Sequence, residues 1–248
     1  MTGQPQARVV VVPDADVLAR TTAERLLLAL VDAQSLRRPV HVVLTGGTVG
    51  IATLAAALAS PVLDAVDWSG VHVWWGDERF VPTGHEDRNE GQARAALLDR
   101  LPLPPANVHS VPGPDQVDSP EAAAERYAAD LSVFAAADTE PRVPEFAVLL
   151  LGVGPDGHVA SLFPDHPAAR TGHAAAVAVH DSPKPPPVRV SLTLPAINRA
   201  AEVWLVAAGG EKAGAVAAAM AGELPAGRVH GTERTLWLLD VAAAGGPA

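Results

Sequence analysis

Asp156 and His158 stand two residues apart, directly after an apolar run, Phe146 to Leu151, that stops at glycines. An apolar run of this length bounded by turn formers reads as a buried strand. In an open α/β sheet, ligands sit at the carboxyl ends of strands. Imidazole titrates near neutrality, which suits proton transfer at such a place. A lone histidine can do no more than satisfy a turn; the Asp-Gly-His setting at a strand end favours function. Gly152-x-Gly154-x-x-Gly157 also matches the letters of the dinucleotide fingerprint. That fingerprint needs a long helix opening inside the glycines and an acid about 20 residues on. Pro155, Pro164 and Pro167 oppose such a helix, and Asp165 and Asp181 are not at convincing strand ends. The match reads as accidental.

Further groups could do chemistry. Val71 to Trp75 delivers Asp77-Glu78-Arg79, three charges that are costly to bury unless paired or used. The strand before them is too apolar for the surface, so the cluster is expected to face a cleft. Asn89, after Asp87-Arg88, is placed either to cap a helix or to touch a substrate. Val40 to Leu44 runs into Thr45-Gly46-Gly47-Thr48. Glycines let a ligand approach the backbone, and a helix N-terminus offers free N–H groups that suit phosphate. The Gly-Lys-Ser/Thr ending of a P-loop is missing, and a tight βα turn would use the same glycines. Lys212, at a strand–helix junction, opposes the helix dipole. A bound anion would remove that conflict, and a solvated lysine is the plain alternative. Arg189 lies in an alternating run, Val188 to Thr193, where the polar face of a strand is the expected place.

Composition narrows the chemistry. The 248 residues are 48% hydrophobic, enough for one large α/β domain or two small ones. A formal net charge of -10 argues against nucleic acid or an anionic membrane as partner. Any anionic substrate must then be held by a few local cations and backbone N–H groups. Without cysteine there is no disulfide, thiolate catalysis or Cys-zinc site. No apolar run reaches membrane-spanning length, and Met1 to Arg8 does not read as a signal peptide, so a cytoplasmic protein is expected. No Gly-x-Ser-x-Gly elbow is present. His166, His173 and His180 recur every seven residues, but Pro167 interrupts a shared helix, and Asp156 with His158 lacks a third ligand at metal spacing. No metal is therefore expected. If the chain is a hydrolase, water is the nucleophile and His158 its best general base.

The elements that must position these residues alternate along the chain. Strands are expected at Arg8–Val12, Val40–Leu44, Val71–Trp75, Phe146–Leu151, Ala174–Val179, Val188–Thr193, Val203–Ala207 and Thr235–Leu239, with a short one at Val108. Helices are expected at Ala15–Leu36, Ile51–Leu58, Ala93–Leu101, Ser119–Ala136 and Ala213–Ala221, with a short helix or turn over Leu194–Ala200. Leu101–Ser119, Asp138–Pro144 and Asp181–Pro187, which contains Lys184, read as loops, and the Ala/Gly tail is expected to fray. Such alternation predicts an α/β fold, a mainly parallel sheet with helices on both faces.

With these segments assembled, the sequence resembles the 6-phosphogluconolactonases of the glucosamine-6-phosphate isomerase/6-phosphogluconolactonase family. The specific matches are Trp75-Gly76-Asp77-Glu78-Arg79-Phe80-Val81-Pro82 with Asp87-Arg88-Asn89, and Leu151 to Pro164 around Asp156-Gly157-His158. Weaker ones are Val188 to Thr193 around Arg189 and Gly210-Glu211-Lys212. The resemblance implies a three-layer αβα sandwich with a Rossmann-like sheet (the glucosamine-6-phosphate deaminase-like fold), one domain over residues 1–248; a monomer or small homo-oligomer is expected, and the sequence does not choose between them. It also implies cofactor-free hydrolysis of 6-phospho-D-glucono-1,5-lactone in the pentose phosphate pathway. His158 would be the base and Arg79 would stabilise the oxyanion. Asp77 and Asp156 would orient His158, Arg79 or sugar hydroxyls. Gly46, Gly47, Thr48, Arg189 and Lys212 would hold the phosphate, and Asn89 would touch substrate. The related isomerases carry a glutamate five residues after the histidine, where this chain has Phe163, which disfavours isomerase chemistry. A non-catalytic sugar-phosphate sensor would leave Asp77, Arg79 and His158 unexplained, and the short stretch before Arg8 leaves no room for the DNA-binding segment such a domain accompanies.

Overall fold

Short β-branched runs and alanine-rich stretches of helical period become the strands and helices of the computed structural model, which describes residues 7–137 and 139–246. In chain order these are β1 (Arg8–Val12), α1 (Ala15–Leu36), β2 (Val40–Leu44), α2 (Gly47–Leu58), β3 (Val71–Trp75), β4 (Asp77–Arg79), α3 (Asn89–Ala96), α4 (Pro120–Val133), β5 (Phe146–Gly152), β6 (Ala176–Val179), β7 (Arg189–Leu192), α5 (Leu194–Ile197), β8 (Glu202–Ala207), α6 (Ala213–Met220) and β9 (Arg234–Asp240). The first six residues of the N-terminal stretch, Asp138 at the start of its loop, and the last two of the tail lie outside the described residues.

The chain forms a three-layer αβα sandwich. Its central sheet has six strands in the order β1-β9-β8-β5-β2-β3, every pair parallel. Parallel strands covered on both faces must be apolar almost throughout. Accordingly β2, β3, β5 and β8 are buried along nearly their whole length, with Trp74, Trp75, Trp204 and Phe146 at 0 or 1% exposure. Helix α1 packs on α2 and against β5 and β9, and sends Leu18, Leu26, Leu27 and Leu30 into the core. β1 is an edge strand, with Val9 and Val11 half exposed.

A second, three-stranded antiparallel sheet, β4-β7-β6, was not expected from the pattern. Two of its strands, β6 and β7, fall within the expected Ala174–Val179 and Val188–Thr193, but β4 is three charged residues with no period-2 signature. It matters because β4 continues from β3 almost without a break and is paired with β7, Asp77 opposite Ser191 and Arg79 opposite Arg189.

Other boundaries moved. Helix α2 opens at Gly47 rather than Ile51, inside the glycine loop, with Gly46 as its N-cap. Helix α3 starts at Asn89 and ends at Ala96, where Leu97 leaves helical geometry and a 3₁₀ turn follows. Helix α4 stops at Val133, after the expected Ser119 cap has accepted from the Ala122 N–H. No helix opens in the Gly152–Gly157 turn, so the dinucleotide match is one of letters only. The tail holds through residue 246: Asp240 accepts from the Ala243 N–H at 2.7 Å and Ala243 is buried.

Candidate active site

The carboxyl ends of β2, β3, β5, β8 and β9 converge on one cavity of about 580 Å³, the size of a small-molecule site. Gly46, Gly47, Thr48, Asp77, Arg79, Asn89, His158, Arg189 and Lys212 all line it. Asp156 does not; it stands behind His158.

The Asp-Gly-His turn is held by two backbone bonds, Gly154 N–H to the His158 carbonyl and Gly157 N–H to the Gly154 carbonyl, both 2.9 Å. Gly157 adopts φ +78°, and a Cβ there would also run into Leu224, so this turn needs glycine. It aims the Asp156 carboxylate at Nδ1 of His158, which leaves Nε2 to face the cavity. Phe163 packs under the imidazole, with ring centroids 4.5 Å apart. Burial lowers the His158 pKa from its ordinary value, and the Asp156 hydrogen bond and charge partly restore it. Burial by itself raises the Asp156 carboxyl, but its bonds to His158 prevail and the net shift is downward. A neutral imidazole held in one tautomer by a carboxylate is suited to take a proton at Nε2.

At the end of β3, buried Tyr127 grips both backbone groups of Trp75. Its hydroxyl accepts from the Trp75 N–H at 2.8 Å and donates to the carbonyl at 3.0 Å. The chain then enters β4. Asp77 is 8% exposed; it accepts from the Ser161 hydroxyl at 2.6 Å and lies 3.7 Å from the Arg189 guanidinium. Glu78 turns the other way and is fully buried. Its carboxylate accepts from the backbone N–H groups of Arg79, Asn89 and Glu90 at 2.8, 2.8 and 2.9 Å. Burial pushes the Glu78 carboxyl up, while the Arg88 charge and these N–H groups pull it back. Glu78, not Asn89, therefore caps α3. The Asn89 side chain instead donates to the Asp77 carbonyl at 2.8 Å, and Gly46 packs so closely on it that any Cβ there would overlap the amide. Arg79 donates to the Asp87 carbonyl at 2.5 Å.

Arg189 is 4% exposed, so it is not on a solvent face as its alternating run suggested. Its Nε donates to the Pro186 carbonyl at 3.1 Å, and Nη2 to the carbonyls of Lys184 at 2.8 Å and Pro185 at 3.3 Å. Nη1 reaches Ser161 at 3.4 Å. Lys212 is the residue preceding α6. Burial lowers its pKa, and the nearby Lys184 charge lowers it further. The turn before it is fixed by Asp240, whose carboxylate accepts from the Gly209 N–H at 3.1 Å.

Reasoning on the sequence missed Lys184, which lines the cavity from the proline-rich loop, as well as the supporting roles of Glu78, Ser161, Tyr127 and Asp240. Only Lys184 had a legible signal: it is one of just two lysines in the chain.

Comparison with known proteins shows the family. The family model described as glucosamine-6-phosphate isomerases/6-phosphogluconolactonase matches residues 13–237. The chain belongs to this family. Among members of the glucosamine-6-phosphate isomerase/6-phosphogluconolactonase family, it is 51% identical to a 6-phosphogluconolactonase of Streptomyces coelicolor, covering 98% of this chain and 95% of the relative. It is 44% identical to that of Mycobacterium tuberculosis, over 94% and 95% of the two chains. The structure of the 6-phosphogluconolactonase from Trypanosoma brucei is similar, with a TM-score of 0.84 to 0.85 for this and a further relative; for the trypanosomal chain it is 0.85 at 27% identity, covering 97% of this chain and 98% of that one. A monomeric glucosamine-6-phosphate deaminase, 17% identical, shares the fold with a TM-score of 0.77 over 96% of this chain and 99% of that one.

Proposed function

We propose that this chain is a carboxylic ester hydrolase that converts 6-phospho-D-glucono-1,5-lactone to 6-phospho-D-gluconate, the lactone step of the oxidative pentose phosphate pathway, without a cofactor. The observation that carries the reading is the His158–Asp156 pair, with Nε2 turned to a cavity lined by arginine, lysine and a glycine-rich helix start. Family membership and relatives named 6-phosphogluconolactonase support the substrate.

In this reading His158 Nε2 takes a proton from water as the water oxygen bonds to the lactone carbonyl carbon. The carbonyl electrons move to oxygen, and Arg79 stabilises that oxyanion, a preorganised charge worth a few kcal/mol. The intermediate collapses, the bond from the carbonyl carbon to the ring oxygen breaks, and the imidazolium returns its proton to that oxygen. Asp156 holds the tautomer throughout and stabilises the imidazolium. Asp77 and Asn89 orient the sugar hydroxyls and the arginines. The N–H groups of Gly46, Gly47 and Thr48, at the start of α2, bind the phosphate with Lys212. Phe163, which stands where isomerases of the family carry a glutamate, offers no second carboxylate for ring opening.

The same proposal takes residues 1–248 as one domain, supported by the pairing of β1 with β9 from opposite ends of the chain. It places the protein in the cytoplasm as a monomer or small homo-oligomer; no helix among the described residues is long and apolar enough to cross a membrane.

The test is hydrolysis of 6-phosphogluconolactone generated in place, followed over the spontaneous background with wild type and His158→Ala. Acceleration by wild type and its loss in His158→Ala, with unchanged thermal unfolding, is the expected result. An undiminished rate in the variant removes His158 as base, and no acceleration by wild type removes the lactonase reading.

A further inference from the structure

Lysine occurs twice in the 248 residues, at 184 and 212, although Lys and Arg together number 18. Arginine supplies every other basic side chain of that pair of types. Both lysines line the same cavity. They approach from opposite parts of the fold, Lys184 from the loop before β7 and Lys212 from the start of α6.

Neither lysine joins an ion pair among the described residues, where the cation is arginine or histidine in each case. The two are close enough for the charge of Lys184 to oppose protonation of Lys212. Two like charges turned toward one cavity in an acidic protein are unfavourable until an anion joins them. A phosphate monoester near neutral pH carries nearly two negative charges, which two ammonium groups balance. Lysine suits such a site as a compact charge on a long stem.

Arg189 has a different task. Its Nε and Nη2 donate to the carbonyls of Lys184, Pro185 and Pro186, and its Nη1 faces Ser161 and Asp77. The guanidinium is thus occupied by the protein. It fastens the loop that carries Lys184, and Ser182 closes the same loop by donating to the Lys184 carbonyl at 3.0 Å.

We propose that Lys184 is the second direct phosphate ligand, clasping the substrate phosphate against Lys212, and that Arg189 is a positioning residue that acts through the Lys184 loop. This rests on the sugar-phosphate reading of the cavity and narrows it: affinity for the phosphate group comes from the lysine pair and the Gly46–Thr48 backbone.

The composition of the chain makes the test direct. Reductive methylation with ¹³C-formaldehyde keeps the lysine charge and labels only Lys184, Lys212 and the chain's α-amino group. Titration of the labelled protein with inorganic phosphate, then 6-phosphogluconate, is followed by NMR, with Lys184→Gln assigning the signals. The expected result is that both lysine signals shift and saturate together. A shift of Lys212 alone overturns the proposal. In Arg189→Gln the Lys184 response is lost and that of Lys212 persists; an unaltered Lys184 response removes the positioning role. Lys184 is exposed on the cavity rim, so Lys184→Gln should fold, and its KM should rise about 10- to 100-fold with kcat little changed, as for one lost bond to a charged group. Glucono-1,5-lactone, which lacks the phosphate, should not sense the substitution, and an equal effect on both lactones counts against phosphate contact. A wild type that fails to turn over either lactone while both lysine signals respond would remove the reaction and leave the anion site standing.

Discussion

Arg79 and Arg189 stand directly opposite each other across the β4–β7 pair, and both line the cavity. Like charges in that relationship are unfavourable for a sheet. Asp77, 3.7 Å from Arg189, offsets part of the repulsion. Arg79→Met should therefore separate function from stability. Its kcat is expected to fall about 10²- to 10³-fold, the usual effect of losing one oxyanion donor. Its denaturant midpoint should stay at or above that of wild type. A midpoint well below wild type would mean that Arg79 is needed for the fold.

The His158–Asp156 pair gives the proposed mechanism a pH profile. In that mechanism catalysis needs neutral His158, whose pKa is below its ordinary value because burial outweighs the help of Asp156. The plot of kcat/KM against pH should rise and level off with a midpoint below about 6.5, the free-imidazole value. Asp156→Asn removes the carboxylate that favours the charged ring, so the midpoint should move lower still. Its plateau should drop about 10²- to 10⁴-fold, as expected when a general base is misoriented. A midpoint that rises in Asp156→Asn contradicts this electrostatic account.

Gly46 tests the glycine loop. A methyl group there would overlap the Asn89 amide, which is tied to the Asp77 carbonyl. Gly46→Ala should displace Asn89 and the first turn of α2, raising KM about tenfold or more, the scale of one lost hydrogen bond. Crystals of the variant would show the shift, and unchanged KM would exclude the loop from binding.

Glu78 tests the support beneath the site. Glu78→Ala leaves one buried and two partly buried N–H groups without their acceptor. A cost of about 2 to 5 kcal/mol in urea unfolding is expected, since each orphaned buried group costs about 1–3 kcal/mol and some relaxation follows. Glu78→Gln keeps one acceptor oxygen and should fall between. A loss below about 0.5 kcal/mol for Glu78→Ala, the range of ordinary surface changes, would remove the capping role.

Acid should destabilise the opposite end of the sheet. His41, His72 and His109 cluster around Trp74 and Phe134, and Trp74 Nε1 donates to His41 Nδ1 at 3.0 Å. Burial lowers all three pKa values, His41 to about 3 and His109 to about 4. The unfolded chain takes up these protons near pH 6.5 and the folded chain does not, so stability is complete above about 6.5 and declines as pH falls toward 4. Urea midpoints between pH 7 and 4.5 measure this. His41→Gln, which keeps an acceptor for Trp74, should flatten the decline.

Much of the fold was legible because buried parallel strands and amphipathic helices leave strong patterns. α1, β1, β2 and β3 have the boundaries that periodicity suggested. The second sheet was not legible as a sheet: the strands at Ala176–Val179 and Arg189–Leu192 were expected, but Asp77–Arg79 is too short and too charged to announce a strand, and no local pattern shows that the three pair antiparallel. Arg189 misled in its facing. An arginine in an alternating run reads as solvent-facing, and nothing local reveals that the carbonyls of residues 184–186 will surround it.

The sequence by itself determined the α/β alternation, the strand ends at Thr45, Asp77, Gly152 and Lys212's turn, and the types of group available there: one imidazole beside a carboxylate, no thiol, two lysines. Those are properties of residue identity and spacing, which short-range sterics and hydrophobic periodicity translate directly into local structure. The tertiary structure decided which groups meet. Asp156 could have faced solvent, but the turn at Gly157 aims it at His158. Glu78 could have lined the cleft, but β4 turns it inward to cap α3. Lys184 and Lys212 lie 28 residues apart in number, and only the tertiary fold brings both to line one cavity. Strand order and register set these encounters through backbone hydrogen bonds between distant segments, and no local pattern records them.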